Sequence, residues 1–483
     1  MPLTTWPTAS GTAYDEHHNP MTGDLESIHR YDHAIDRLLR FDPDVVDLAS
    51  QLVGVERPAP MAHALVAYLH LMSTDAGDLA TVADALDALC TTTHNDREGL
   101  HAEAIGAWLR GDWTGAASRL DQVLKVWPTD LLALVLGHQL DIVLGDGQSL
   151  RDRPGRVLLE IDRDHPHAAF VRGMLAFGLE ESGHFGQATD AGLAAVDVNP
   201  DDVWAIHAVA HTHEMQGRVD HGIRFLTQRQ ADWGDGNLFT VHNWWHLALF
   251  HLECEQHDRA LEIYDTEIHH DGSDGVPLEL LDASALLWRF LLDGVGTGGR
   301  FTPLADSWSA HTMKQPWYVF NDLHATMALA GAGRLGEAHE LIHELDGWLD
   351  TASGTNARMT AEIGLPACRA VVAFVEDRHA DVIAELGPIR RVLQHFGGSH
   401  AQRDALQRTL LESSLRAGRY ELARALTAER LVVRETSVYG WSQRARALRG
   451  LGDVGRATAA DAAAARHRAR FAKAGSRAVV TRS

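Results

Sequence analysis

The stretch REGLHAEAIGAWLRGDWTGAASRLDQVLKVWP (97–128) determines the fold class. Its apolar residues recur at intervals of three and four positions, which is the period of an α-helix and not of a strand. The pair Gly111–Asp112 interrupts this period, and Pro128 ends it. We therefore expect a helical hairpin, with one helix over about 97–110, a tight turn, and a second helix that stops at the proline.

The same hairpin pattern recurs along the chain at intervals of about 35 residues, whereas strand signals are almost absent. Further hairpins are expected at 170–200, from 203, from 239, and at 278–312, 317–348, 358–396, 399–431 and 437–471. A helix–turn–helix unit of this length is typical of tetratricopeptide-like repeats. Each such unit can bury its apolar face only against its neighbours.

The sequence thus predicts an all-α protein, a tetratricopeptide-like α-solenoid of stacked helical hairpins that curls into about one superhelical turn. The solenoid is expected to span residues 26–471 as one unit, after an N-terminal extension at 1–25. The tail at 472–483 is basic and is predicted to be disordered. The first helix of each hairpin should line the concave side.

The composition excludes several classes of partner. Among 483 residues, 66 are acidic and 43 are basic, so the formal net charge is −23. Such a chain repels phosphate backbones, so nucleic acid is not expected as a partner. No apolar run reaches the roughly 18 residues of a membrane span, so no membrane is expected either. The dispersed Cys90, Cys254 and Cys368 predict a reducing, cytoplasmic location without disulfides or a thiolate zinc site. The preference for arginine over lysine is typical of a bacterium with a GC-rich genome.

Two segments, HAVAHTHEM from His207 and HNWWHLALFHLE from His242, carry polar residues at helical spacing. His207, His211 and Glu214 share one face of a helix, as do His242 and His246. Each histidine of the second pair lies 35 residues after its counterpart in the first, which is one repeat. Equivalent positions in adjacent repeats lie about 10 Å apart. The four imidazoles should therefore form a two-by-two array on the concave wall.

This polar row continues into other repeats. Arg172 lies 35 residues before His207, His138 lies 34 before Arg172, and His101 lies 37 before His138. Candidates in later repeats are Asp282, Asn321, Asp322 and His324. A lone histidine on a helix more often serves packing than chemistry, so the register across repeats is what favours a site.

A metal site is one interpretation of the array. Two histidines four residues apart on a helix can chelate one divalent metal, and a carboxylate can complete the coordination. His207, His211, His242 and His246 are accordingly predicted as ligands of a divalent transition metal. The HExxH order of many zinc enzymes is absent, and no nucleotide or hydride-cofactor motif occurs.

Acid–base catalysis is the other interpretation. Neutral histidines beside carboxylates exchange protons near pH 7. In this scheme His211 and His246 are the acid–base groups, and Glu214 or Asp322 orients an imidazole. The arginines among the predicted substrate contacts would bind an anionic group. The residues predicted to contact the substrate are His138, Arg172, His207, His242, Asn243, Asn321, His324, Arg403 and Asp404.

From about residue 60 to 430 the chain resembles the tetratricopeptide repeat protein 38 family. The similar stretches are PTDLLAL (128–134), WAIHAVAHTHEM (204–215), HNWWHLAL (242–249), ALEIYD (260–265), FNDLHA (320–325), GLPACRA (364–370) and GGSHAQRDAL (397–406). The polar positions that carry the resemblance are His207, His211, His213, Glu214, His242, Asn243, His246, Asn321, Asp322, His324, Gln402, Arg403 and Asp404. The resemblance implies the fold and the candidate site, but no reaction.

We expect the curled solenoid to bring segments 320–325 and 401–404 opposite the two histidine segments and so to enclose a polar pocket. The predicted function is to bind and transform a small polar molecule by hydrolysis or other acid–base chemistry, with metal assistance as one option. The alternative is a scaffold without enzymatic activity, whose concave groove binds a peptide or protein partner.

Overall fold

The computed structural model describes residues 13–311 and 316–479. Within these residues the fold is helical, apart from a short antiparallel pair formed by β1 (Ala13–Tyr14) and β2 (Pro20–Met21). The helices stack as consecutive hairpins. This architecture confirms the all-α, tetratricopeptide-like solenoid expected from the sequence.

The first half of the solenoid comprises fifteen helices. They are α1 (Leu25–Leu39), α2 (Asp44–Val53), α3 (Pro60–Met72), α4 (Leu79–Thr91), α5 (Asp96–Leu109), α6 (Trp113–Val126), α7 (Leu131–Val143), α8 (Gly147–Glu160), α9 (His167–Glu181), α10 (Phe185–Val198), α11 (Val203–Met215), α12 (Val219–Gln228), α13 (Gln230–Trp233), α14 (Thr240–Glu253) and α15 (His257–Ile263). A 3₁₀ turn at Ala76–Asp78 precedes α4, and a π-helical turn at Tyr264–Ile268 follows α15.

The second half continues in the same manner. Its helices are α16 (Pro277–Leu292), α17 (Phe301–His311), α18 (Val319–Gly331), α19 (Leu335–Leu349), α20 (Thr355–Met359), α21 (Leu365–Val375), α22 (His379–Ile389), α23 (His400–Arg416), α24 (Tyr420–Val433), α25 (Val438–Gly450) and α26 (Val454–Val479). A π-helical turn at Thr360–Gly364 precedes α21, and a 3₁₀ turn at Leu393–Phe396 precedes α23. Helix α26 continues beyond residue 471, the expected end of the solenoid, while residues 480–483 lie outside the described part.

The turns inside the hairpins explain the repeat. Gly111 and Gly217, each just after the first helix of a hairpin, have φ of 81° and 65°, a left-handed conformation that favours glycine. An aspartate often caps the next helix. Asp130 at α7 and Asp202 at α11 accept hydrogen bonds from backbone N–H groups three residues on. These local signals produce the sequence period of the hairpins.

The superhelix curls until the second half packs on the first. The Asn321 side chain donates to the backbone oxygen of Thr74, 247 residues away, at 3.0 Å. Thr436 bonds Gly217 across 219 residues, and Arg468 pairs with Glu255 across 213. Helix α23 packs against both α11 and α16. The concave wall of the first half is therefore covered by the second half.

Among the described residues, none of the helices combines the length and apolar character that crossing a membrane requires. Cys90, Cys254 and Cys368 are all free thiols, and the last two are buried. The structure therefore contains no disulfide within the part of the chain that it describes.

Candidate metal centre and adjoining cavity

Helices α11 and α14 bring four histidines together. We call His207, His211, His242 and His246 the histidine cluster. The ring centroids of His207 and His211 are 4.3 Å apart, as are those of His211 and His246. His207 and His242 are 5.0 Å apart. Equivalent imidazoles of neighbouring repeats, 35 residues apart in the sequence, are therefore in contact, closer than the roughly 10 Å expected between equivalent helix positions.

The cluster has the composition and compactness of a metal centre. One nitrogen from each imidazole lies within 4.8 Å of one nitrogen from each of the others. The four residues are at most 5% exposed. Imidazole nitrogens suit zinc, copper, iron and nickel. The donor set and its burial fit a divalent transition metal.

Carboxylates hold the outer nitrogens of the rings. Nδ1 of His242 donates to Asp282 at 2.8 Å, and Nδ1 of His246 donates to Glu214 at 3.1 Å. Because an ionised carboxylate only accepts hydrogen bonds, the proton of each ring is on Nδ1 and the lone pair is on Nε2. Nδ1 of His211 lies 3.5 Å from Glu180. Carboxylates behind histidines are the usual support of metal-bound imidazoles.

The inner nitrogens of the cluster are left without partners. Nε2 of His207, His211 and His246 is buried and makes no hydrogen bond with any described residue. An unpaired buried polar atom costs about 1–3 kcal/mol, so three in contact need an explanation. Coordination of one shared cation would satisfy all three.

Electrostatics favour the neutral form of His207 and His211. Burial and then the imidazoles of its neighbours lower the pKa of His207 and of His211 well below the ordinary value. Burial alone would raise the pKa of Glu214, but the hydrogen bond from His246 and the charge of Arg434 lower it overall. Neutral imidazoles beside ionised carboxylates are the protonation states that a metal ion requires.

Aromatic rings close the cluster off from solvent. The ring of Phe177 lies 4.8 Å from His207 and 5.1 Å from His211. Phe239 lies 4.9 Å from His207, and the indole of Trp245 stacks on His242 at 5.2 Å. This apolar surround shields the imidazoles from bulk solvent and strengthens every charge interaction inside it.

A cavity of about 650 Å³ lies on the other side of Phe177, between the two halves of the chain. Arg151, Arg390, Arg391 and Arg403 line it, as do His400 and Glu181. The guanidinium groups make it suited to a ligand with a carboxylate or phosphate group. We call this space the arginine cavity.

A chain of titratable groups links the arginine cavity to the histidine cluster. Nδ1 of His400 lies 3.5 Å from Glu180 and 3.3 Å from Glu181, and Glu180 in turn lies 3.5 Å from His211. Burial, and then the negative charge of Glu181, raise the pKa of Glu180 to about 7. Burial opposes protonation of His400, but the charges of Glu181 and Glu180 raise its pKa overall.

Two residues predicted to contact the substrate, Arg403 and Asp404, lie between the arginine cavity and the histidine cluster, and both are paired with other charged side chains. Arg403 donates to Glu181 at 2.9 Å and also to the backbone oxygen of Gly398. Asp404 is held by Arg430 and by Arg434, the latter at 3.4 Å, and Arg434 contacts Glu214 at 3.5 Å. Arg403 thus lines the cavity, and Asp404 stabilises the residues behind the cluster.

Among the described residues, Asn321, Asp322 and His324 on α18 form no hydrogen bond, ion pair or ring contact with the histidine cluster. Asn321 bonds Thr74, and Nδ1 of His324 donates to the backbone oxygen of Phe320 at 2.7 Å. Burial raises the pKa of Asp322 to about 8. Among the described residues, no imidazole forms a hydrogen bond or ion pair with Asp322. The carboxyl groups that approach the imidazoles of the histidine cluster are Glu214, Asp282 and Glu180.

The remaining predicted residues lie in different surroundings. His138 is fully buried, and its ring lies 5.5 Å from Trp204 and 6.1 Å from Phe177. Asn243 is fully buried on α14, and Arg172 is half-buried on α9. His101 bonds Asp130 at 3.0 Å and belongs to a separate buried network.

Sequence reasoning missed Glu180, Glu181 and His400. A signal existed for Glu180, which lies 34 residues before Glu214 and contacts the histidine of the following repeat in the same manner. His400 carried no periodic signal, because it reaches the site from the second half of the chain.

The chain matches no protein-family model. Several solved helical-repeat structures are similar over most of its length. A human IFIT1 dimer with PPP-AAAA is 12% identical, covers 94% of this chain and 96% of its own, and has a TM-score of 0.39. Yeast Tom70 is 11% identical, with 94% and 96% covered and a TM-score of 0.36. The APC/C subunit assembly Cut9–Hcn1 is 13% identical, with 94% and 89% covered and a TM-score of 0.31. Likenesses of this degree carry no argument about ligands or activity.

Proposed function

We propose that this protein is a metal-dependent enzyme. His207, His211, His242 and His246 would hold one divalent transition metal ion, and a small polar molecule with an anionic group would bind in the adjoining arginine cavity. The reaction class is hydrolysis or a related proton transfer. Membership of the tetratricopeptide repeat protein 38 family and a cytoplasmic location belong to the same proposal, the latter supported by three free thiols.

The observation that carries the proposal is the arrangement of the site, in which imidazoles converge and carboxylates lie behind them. Four imidazoles converge within 4.8 Å, and carboxylates stand behind three of them. Packing alone does not explain three unpaired buried nitrogens in one cluster of imidazoles. The four imidazoles would hold the ion, and a metal that accepts more than four ligands would also accept water or substrate. When bound, it would supply Lewis-acid chemistry, by acidifying water or polarising an oxygen of the substrate.

Residues of the chain supply the remaining functions. Arg403, held by Glu181, presents its guanidinium at the cavity wall for an anionic group. His400 faces the same cavity and is the residue placed to exchange a proton with a bound molecule. Glu180 lies between His400 and His211, 3.5 Å from Nδ1 of each ring, and would link the two imidazoles electrostatically.

A peptide-binding groove, the alternative from sequence, would use the histidine stripe as an open wall. Instead His211 and His246 are fully buried and touch each other. The covered wall therefore favours a small ligand over an extended peptide at this position.

Metal analysis tests the proposal. Untagged protein purified with supplemented zinc, iron, manganese or nickel is expected to hold about one equivalent of a single transition metal at the histidine cluster, in addition to any metal bound elsewhere. The variant His246→Gln should lose at least tenfold in affinity, because one ligand is removed. His213→Gln is the matched control, since His213 is on the same helix α11 as two of the ligands but contacts His221 and Phe225 instead.

The outcomes separate the parts of the proposal. Protein that is folded by circular dichroism yet binds no more metal than His246→Gln would exclude the metal centre. If metal binds, hydrolysis of p-nitrophenyl phosphate and p-nitrophenyl acetate should depend on it and should fall at least tenfold in Arg403→Gln or His400→Gln. Equal activity in the metal-free protein would exclude the metal-dependent reaction.

A further inference from the structure

A second group of histidines lies where the N-terminal segment meets the solenoid. His17 follows β1, while His165 and His167 are at the start of α9. The ring centroids of His17 and His165 are 4.5 Å apart, and those of His165 and His167 are 4.7 Å apart. Glu16 is beside them. One ligand atom from each of the four residues lies within 4.8 Å of all the others.

The separations match those of ligands on one ion. Nε2 of His17 lies 3.0 Å from Nδ1 of His167, a hydrogen bond that coordination of both nitrogens would replace. A carboxylate oxygen of Glu16 lies 3.7 Å from that Nε2 and 3.4 Å from that Nδ1. Two atoms bound to a tetrahedral zinc ion at about 2.0–2.1 Å are roughly 3.3 Å apart. The triangle of donor atoms therefore has nearly the dimensions of one face of a zinc site.

The ligands are positioned by their surroundings. Nε2 of His167 donates to Asp36 at 3.2 Å, which leaves the lone pair on Nδ1, the nitrogen that faces His17. The backbone oxygen of His17 accepts from the Thr129 hydroxyl at 3.0 Å, and its N–H donates to Asp15 at 3.1 Å. Nδ1 of His165 accepts the His167 backbone N–H at 3.2 Å, a bond that coordination through that nitrogen would replace.

We propose that His17, His165, His167 and Glu16 form a second site for a divalent transition metal of the zinc class. Three imidazole nitrogens and one carboxylate oxygen are a donor set that zinc accepts. The ion would join the N-terminal segment to the loop before α9 and so fasten residues 13–21 to the solenoid. Glu16 is exposed, so this site opens to solvent, unlike the histidine cluster.

Zinc titration of the full chain tests this site. With both sites present, wild-type protein should bind two equivalents of zinc chloride, and His17→Asn should bind one, with at least a tenfold loss of affinity at the affected site. The matched control is His18→Asn, which should bind two. His18 is adjacent and exposed, and its φ of 62° is tolerated by asparagine.

Limited proteolysis supplies a second readout that does not depend on the histidine cluster. Zinc should slow cleavage within residues 13–21 at least fivefold in the wild type, in His18→Asn and in His246→Gln, but not in His17→Asn. Unchanged stoichiometry and unchanged cleavage in His17→Asn would overturn the second site and leave the proposed metal centre intact. If the wild type binds one equivalent of zinc and only His17→Asn loses it, the second site is supported and the metal centre at the histidine cluster is excluded.

Discussion

Glu214 shows how one carboxylate can serve two neighbours. Its carboxylate accepts a hydrogen bond from Nδ1 of His246 at 3.1 Å and contacts the guanidinium of Arg434 at 3.5 Å. Replacing such a carboxylate weakens a metal site by roughly 10- to 100-fold, although it touches no metal. The interior contains a contrasting carboxyl group, Asp322, whose pKa is raised by burial to about 8.

Asp322 makes the stability of the protein depend on pH. The folded state keeps the proton on this carboxyl group up to about pH 8, whereas the unfolded chain releases it near pH 4. The folded state therefore binds the additional proton, and raising the pH through this window must lower the free energy of unfolding. Relative to Asp322→Asn, the wild type should lose about 1.4 kcal/mol per pH unit. Urea unfolding of both proteins from pH 5 to 8 measures the difference, and parallel curves would show that Asp322 is ionised when folded.

The start of α7 combines a helix cap with a buried charge network. Asp130 accepts from the Ala133 backbone N–H at 2.9 Å, from Arg97 at 2.7 Å and from His101 at 3.0 Å. Arg97 is 1% exposed and also contacts Asp15 at 3.2 Å. The same aspartate thus begins a helix and neutralises a guanidinium that has no access to water.

Removing this aspartate should cost far more than removing an ordinary cap. Asp130→Ala is expected to lower the free energy of unfolding by about 3–5 kcal/mol, because it leaves Arg97 buried with Asp15 alone. Asp146→Ala removes the corresponding but exposed cap of α8 and should cost about 1 kcal/mol. Urea unfolding compares the two, and equal losses would mean that the ion pair adds nothing beyond the cap.

The elements were largely predictable from the sequence, and the site was predictable in part. Helix period and turn glycines depend on neighbouring residues, so the hairpins named from the sequence lie within a few positions of the observed ones, whereas those of α1–α4 and α7–α8 were not specified. The histidine cluster followed from the 35-residue register, because equivalent residues of adjacent repeats must be neighbours. The pair Glu181–Arg403 joins residues 222 apart. Such contacts depend on small rotations accumulated over many repeats, which no local pattern encodes.

Across the entire molecule, backbone contacts hold the two halves together. The turn at Gly145 has φ of 65°, and a Cβ there would overlap the backbone of Gln394 in the second half. Gly183 occupies the same place in the following hairpin with φ of 79°, yet a Cβ there would meet nothing within 4 Å. A substitution at Gly183 therefore tests the backbone strain of the turn alone, whereas one at Gly145 tests the same strain together with the packing between the two halves.

Alanine at each of these glycines measures that packing. Gly183→Ala should cost about 1–2 kcal/mol from the left-handed backbone alone. Gly145→Ala should cost about 1–3 kcal/mol more, because the segment around Gln394 has to move away. Thermal unfolding monitored by circular dichroism compares the variants. A smaller loss in Gly145→Ala than in Gly183→Ala would show that the halves do not meet tightly at this turn.

Residues that contact each other in the folded protein lie far apart in the sequence, and this has a consequence for synthesis on the ribosome. His207 to His246 leave the ribosome about 150 residues before His400 and Arg403, which help to cover them. At about 5–20 residues per second, the interval is on the order of 10–30 s. During that time the nascent chain presents its imidazoles on an uncovered surface. Metal ions could therefore reach them before the later helices arrive, so loading could occur while translation is still under way.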